Sequence, residues 1–291
     1  MQQTIADCLL FKVEQFLHIS HMPSANTFSP YAAQPSLFVP HGAPTLALHP
    51  GAAGAALARA GAGLARPRAV IIVSAHWQTE VPTVGSAARP HTIYDFWGFP
   101  GELNLIRYPA TGCAEASAEV VAALRGAGFL AASDSARGLD HGAWIPLRLM
   151  FPDAEVPVVP LSIQVGRGPG HHLAVGRALA PLAARGFLVL GSGNLTHNLG
   201  DFQGLHRDAG PIPPYVREFA DWIWQRIEAA DVPSLLDYRR LAPDAVRAHP
   251  QEDHLLPLYV ALGAAAGRSA PERVHAGVDN YVLAMDAFAF H

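Results

Sequence analysis

Residues 69–77 read AVIIVSAHW. Four β-branched residues in a row, with no polar alternation, are how a strand reads when both faces of its sheet are covered, as in the parallel sheets of α/β proteins. The run closes with Ser74 and Ala75 and then sets His76 where the strand should give way to a turn. Open α/β sheets gather ligands beyond the carboxyl ends of their strands, so a histidine at that point is a candidate for chemistry.

The same arrangement recurs outward from it. SLFVP (36–40) runs into His41 and Gly42, and GFLVLGSG (186–193) runs on to His197. Further apolar runs at 128–133, 156–163 and 280–288 complete a set of six expected strands. Between them lie segments of helical period at 52–64, 114–126, 143–150, 170–184, 213–229 and 251–265. The alternation predicts a single α/β domain over residues 35–291, with a central, largely parallel mixed sheet flanked by helices and an active site at the strand carboxyl ends. Residues 1–34 read as an N-terminal extension. Its stretch ADCLLFKVEQFLHIS is interrupted by Lys12 and Glu14 and lacks a cleavage site, which does not fit a signal peptide. Two stretches take neither label: 88–112, dense in aromatic, histidine, proline and glycine residues, and 200–215. Long irregular segments of this kind usually serve function.

Composition narrows the classes. The chain has 291 residues, half of them apolar, enough for a large core. A net charge of −4 without a basic block gives no footprint for nucleic acid or an anionic membrane. No window reaches 18 uninterrupted apolar residues, so no membrane span is expected. Two cysteines are too few for a disulfide framework or a thiolate metal site and suit a reducing, cytoplasmic setting. Histidine is the outlier: 15 residues against a single lysine.

Besides His41, His76 and His197, His141 follows Asp140 in RGLDHGAWIPL, and His254 opens a helix in AHPQEDHLLPLYVAL. Five histidines from distant positions could converge on one side of the sheet. Imidazole suits Zn, Fe, Cu and Ni, and about three protein ligands leave positions open for substrate. Each histidine taken alone also reads as a capping or hydrogen-bonding residue, and the neighbouring glycines as tight turns. Asp95, Glu252 and Asp253 could orient an imidazole, but exposed acids at helix starts are the plainer account.

Seven blocks in order carry a family resemblance: PHGAPTL, VIIVSAHW, HTIYDFWGFP, YPATG, GLDHGAWIPLRLMFPDAEVPVVPLSIQ, GSGNLTHNL and EDHLLPLYVALGAA. The chain resembles the class III extradiol ring-cleavage dioxygenases, in the DOPA 4,5-dioxygenase-like branch. The resemblance implies a non-haem Fe(II) site with His41, His76 and His254 at the ligand positions. His197 falls on an active-site acid–base position that becomes a fourth ligand when zinc, Zn(II), is loaded. His141 matches a second active-site histidine on the substrate or oxygen side. Glu252 is the nearby carboxylate that could contest a three-histidine set. Tyr94 and Trp97 would belong to the ring-binding wall, with packing an equally good account of Phe96 and Phe99. The implied reaction inserts O2 into a small aromatic diol. A zinc-dependent hydrolase and a non-enzymatic metal-binding member of the superfamily are the alternatives.

Overall fold

In the computed structural model, which describes residues 30–202, 211–265 and 271–291, the expected run at 69–74 becomes strand β2. The strands are β1 (Ser36–Pro40), β2 (Ala69–Gln78), β3 (Thr83–Gly85), β4 (Ala132–Asp134), β5 (Val158–Ile163), β6 (Phe187–Gly193), β7 (Pro271–His275), β8 (Val278–Asp279), β9 (Leu283–Ala284) and β10 (Ala287–Phe290). The helices are α1 (Gly51–Gly63), α2 (Ala114–Gly126), α3 (His141–Met150), α4 (Gly168–Ala183), α5 (Pro214–Glu228), α6 (Val232–Leu236), α7 (Tyr238–Leu241), α8 (Ala245–Ala248) and α9 (Leu256–Ala265).

Eight strands form one sheet in the order β4-β3-β5-β2-β6-β1-β10-β7. The central four, β5, β2, β6 and β1, are parallel. Antiparallel pairs of β3 with β5 and of β10 with β1 flank them, so the sheet is mixed with a parallel centre. The period of two explains the unbroken apolar runs. Val70 and Ile72 join Leu188 and Leu190 beneath α1 and α3, against Leu57 and Leu147. Ala69, Ile71 and Val73 join Val159 and Val189 on the other face, against Val120 of α2, Leu179 of α4 and Val260 of α9. Each large aliphatic side chain so buried contributes about 1.5–3 kcal/mol. Helix α9 is apolar on every side because it lies between α4 and the sheet.

The structure departs from the expected elements where backbone geometry intervenes. The run at 280–288 is broken: Asn280 and Tyr281 take left-handed backbone, with φ of 46° and 67°, and turn the chain between the paired short strands β8 and β9, while Met285 and Asp286 separate β9 from β10. The run at 128–133 forms a strand only from Ala132, after Gly128 at φ +89° and an exposed Leu130. The helix expected from 251 starts at Leu256, because residues 250–255 form turns that carry His254 to the sheet end. Of the N-terminal extension, residues 1–29 lie outside the described residues, as do 203–210 of the irregular stretch at 200–215. Among the described residues no helix is long and apolar enough to cross a membrane.

Candidate metal centre and its pocket

His41 follows β1, and its backbone N–H donates to Gly193 O at 3.2 Å, extending the pairing of β1 with β6. The chain then turns at Gly42, where φ is +61°. A side chain there would be strained and would press its Cβ to 2.8 Å from the Met285 methyl. His76 sits on an irregular stretch of β2: Val73 pairs with Leu161 of β5, and the next pair is Gln78 with Ile163. Extra residues on one strand bend it and re-aim side chains, which turns a strand residue toward the sheet end. His254 lies in the turn before α9. Its carbonyl accepts from Asn194 N at 3.1 Å, and a Cβ on Gly193 would stand 2.0 Å from that oxygen, so only glycine ends β6 this way.

These three rings converge. His76 Nε2 lies 3.2 Å from His41 Nε2 and 3.2 Å from His254 Nε2. Each Nδ1 faces an oxygen instead. The Ser192 hydroxyl donates to Gly142 O, a carbonyl that can only accept, so at 3.0 Å from His41 Nδ1 it must accept from that N–H. His41 Nε2 is then a bare lone pair. Asp95 Oδ2 lies 3.6 Å from His76 Nδ1, and Asp253 Oδ1 lies 3.2 Å from His254 Nδ1.

Two nitrogens each about 2.1 Å from one ion stand about 3.0 Å apart at a right angle and about 3.4 Å apart at the tetrahedral angle. The observed spacing falls between these, so the donor set of His41, His76 and His254 fits a divalent transition metal. Glu252 takes no part: its carboxylate accepts from Tyr238 Oη at 2.9 Å.

His141 opens α3, whose first turn is capped by Asp140 through Ala143 N. Its backbone N–H and its Nδ1 both meet Asp95 Oδ1, at 2.9 and 3.0 Å, which leaves Nε2 as the uncommitted ring nitrogen. His197, past β6, lies flat on His254 with ring centroids 3.4 Å apart and planes within 5°. It stands against the face of the His254 ring rather than inside the triangle of Nε2 atoms. All five histidines line one cavity of about 290 Å³, together with Asp95 and a wall that includes Phe96, Trp97, Phe99, Phe202 and Leu283. Trp97 is 88 % exposed at its rim. Tyr94 is not among the lining residues. Its hydroxyl donates to Ile106 O at 2.8 Å and its ring packs on Phe96 and Trp144, so it supports the wall from behind.

Residues 51–290 match the family described as the catalytic LigB subunit of aromatic ring-opening dioxygenase. The chain belongs to this LigB family. It is 37% identical to a 4,5-DOPA dioxygenase extradiol of Beta vulgaris, covering 77% of this chain and 83% of that one. It is 35% identical to the Escherichia coli K12 protein of the same description, over 80% and 86%. A crystal structure of an uncharacterized Escherichia coli K12 protein superposes with a TM-score of 0.73 at 28% identity, covering 89% of this chain and all of the other. As a LigB-family member the protein is an extradiol aromatic ring-opening dioxygenase, non-haem and metal-dependent, that works on an aromatic substrate and O2.

The electrostatics of the LigB-family site follow from burial. Desolvation, then the charges that neighbouring histidines would carry, hold His41 and His254 well below the ordinary imidazole pKa. Burial with the nearby His141 lowers His76 to about 3, and burial lowers His197 to about 4 against the opposing pull of Asp253. The rings are therefore neutral at pH 7, as metal ligation and ring stacking require. Burial would raise the Asp95 carboxyl, but the hydrogen bonds and charge of His141 win and bring it to about 2.

The sequence offers Asp95 as a group that could orient an imidazole but favours a helix-start acid, and the structure places it against His141 and His76 instead. It sits in the irregular segment 88–112 and joins His141 to His76. Ser192 and Ser74 are the residues the sequence reading missed. Ser74 accepts from His76 N and donates to Asp140 Oδ1 at 2.6 Å, tying the His76 backbone to the cap of α3. The one local signal was a serine or aspartate within two residues of a histidine, in SAH and DHG.

Proposed function

We propose that the protein cleaves the ring of a small catechol beside its two hydroxyl-bearing carbons, with Fe(II) held by His41, His76 and His254. When bound, the metal supplies a centre at which the catechol oxygens and O2 can meet. Both oxygen atoms enter the semialdehyde product, and the electrons come from the ring itself, so no outside reductant is needed. Three neutral imidazoles leave the ion its full positive charge, which favours a deprotonated diol over neutral donors.

The protein side of the reaction divides between two histidines. His197, neutral and stacked on a ligand ring at the cavity floor, takes a proton from a catechol hydroxyl. His141, anchored through Nδ1 to Asp95, presents Nε2 and serves the oxygen side. Phe96, Trp97 and Phe99 enclose the ring, and Tyr94 braces Phe96. The observation that carries this reading is the triangle of three Nε2 atoms opening into an aromatic-walled pocket that contains two further histidines. We place the enzyme in the cytoplasm, where its thiols stay reduced.

The test is to load the protein with Fe(II) under argon, add catechol, then admit oxygen. The expected result is O2 uptake in step with a yellow ring-opened product. Bound iron with no oxygen uptake across a catechol panel would overturn the reading.

A further inference from the structure

The cavity is divided by polarity. The five histidines and Asp95 occupy the floor, where the diol must lie if the ring-cleavage reading holds, and this inference rests on that reading. Phe96, Trp97, Phe99, Leu199, Phe202 and Leu283 supply the wall and mouth. Whatever the ring carries away from its hydroxyls meets that second half.

Among the described residues no lysine or arginine lines the cavity. Two arginines near the cavity, Arg137 and Arg247, are engaged elsewhere. Arg137 is held by Asp140 at 2.5 Å and lies over the Trp77 ring. Arg247 is held by Asp201 at 2.9 Å and lies over the Tyr215 ring. The chain's single lysine, Lys12, and Arg207 lie outside the described residues. Among the described residues, the one carboxylate lining the cavity, Asp95, spends Oδ1 on two hydrogen bonds to His141 and turns Oδ2 toward His76. It therefore repels an anionic substituent, and its Oδ1 is committed to His141 rather than to a cationic one. A charged group moved from water to such a wall loses hydration with nothing in return, whereas an alkyl group gains from burial.

We infer that the enzyme selects catechols whose ring substituent is uncharged and apolar, over those bearing a carboxylate or an ammonium group. The selecting residues are those of the wall, above all Phe99, Phe202 and Leu283, with Leu199 at the mouth.

The experiment compares side chains of similar length: 4-propylcatechol, 3-(3,4-dihydroxyphenyl)propionate and dopamine. With the iron-loaded enzyme, kcat/KM for 4-propylcatechol should exceed both others by at least about tenfold. Anaerobic calorimetry on the same compounds should give the same order of affinity without turnover. Leu199 is 65 % exposed, so Leu199→Arg can be made without disturbing the core. It should raise use of the propionate relative to 4-propylcatechol. Equal or better use of either charged compound, or a ratio that Leu199→Arg does not move, would overturn the inference. If none of the three is cleaved with iron bound, the ring-cleavage reading fails, while the calorimetric order still decides whether the wall selects apolar groups.

Discussion

Two groups of histidines lie at strand ends in this protein, and they are built in opposite ways. Beyond β5, both nitrogens of His172 are held by protein. Nδ1 donates to Gly168 O at 2.8 Å and Nε2 accepts from Gln164 N at 3.1 Å. Beside it, His171 Nε2 meets Gln164 Oε1 at 3.0 Å. Just past β1 and on the irregular end of β2, His41 and His76 have only their Nδ1 sides facing protein oxygens, and their Nε2 atoms point at one another and at His254. Burial lowers the pKa in both groups, to about 4 at His172 and about 3 at His76. A depressed imidazole is thus no mark of a metal site. The mark is a second nitrogen for which the protein supplies no complement.

The contrast can be broken most directly by truncation. His41→Ala, His76→Ala or His254→Ala should each abolish bound metal, measured by elemental analysis, and ring opening with it. His172→Ala should keep the metal and lose about 1–3 kcal/mol of stability in a denaturant titration, the cost of stranding buried polar partners. Metal loss in His172→Ala would erase the distinction. His197→Ala should keep the metal yet lower kcat by about 10²–10⁴, the usual span for a proton-transferring side chain. Should it release metal as the first three do, His197 belongs with the ligands.

Replacing the groups that hold the ligand rings should have smaller effects. Asp95→Asn and Ser192→Ala are each expected to weaken metal affinity by about 10- to 100-fold, measured by competition with a chelator. In Ser192→Ala without metal, the ¹⁵N spectrum of His41 should lose its fixed Nδ1–H form, a change that general loosening would not confine to one ring. The smallest effect is one of pH. His172 titrates near 4 when folded and near 6.5 when unfolded, so the unfolded chain takes up the extra proton in between and stability falls as pH drops through that window. From pH 7.5 to 5.5 this group accounts for about 1.4 kcal/mol. His172→Gln keeps a donor and an acceptor, and should show a correspondingly shallower loss over that range and no difference in slope above pH 7.

The sheet was legible because its central strands are buried on both faces, and AVIIV can satisfy two covering layers only as a strand. His41, His76 and His197 were legible because they follow such runs directly. Asp95 was legible only as one of three acids that could orient an imidazole, since its meaning depends on His141, 46 residues away, and no periodicity links the two. Ser192 was hidden for the same reason, 151 residues from His41. The irregular register that turns His76 inward depends on β5 and leaves no local trace in SAHW. Tyr94 and Trp97 looked equivalent as aromatic neighbours, yet the backbone sends one behind the wall and the other to the rim.

The segment from Ile93 to Phe99 serves two masters. Ile93 O accepts from the Trp144 indole at 3.1 Å, and Asp95 fixes His141, so both residues are tied to α3. Phe96, Trp97 and Phe99, one to four positions later, face the cavity. Inheritance can therefore alter the accepted substrate by single replacements at 96, 97 or 99 while leaving the histidine cluster alone. An insertion or deletion in the same few residues would shift Asp95 and disable the centre. Diversification of this enzyme's diet should proceed through point changes here, with length changes confined to other loops.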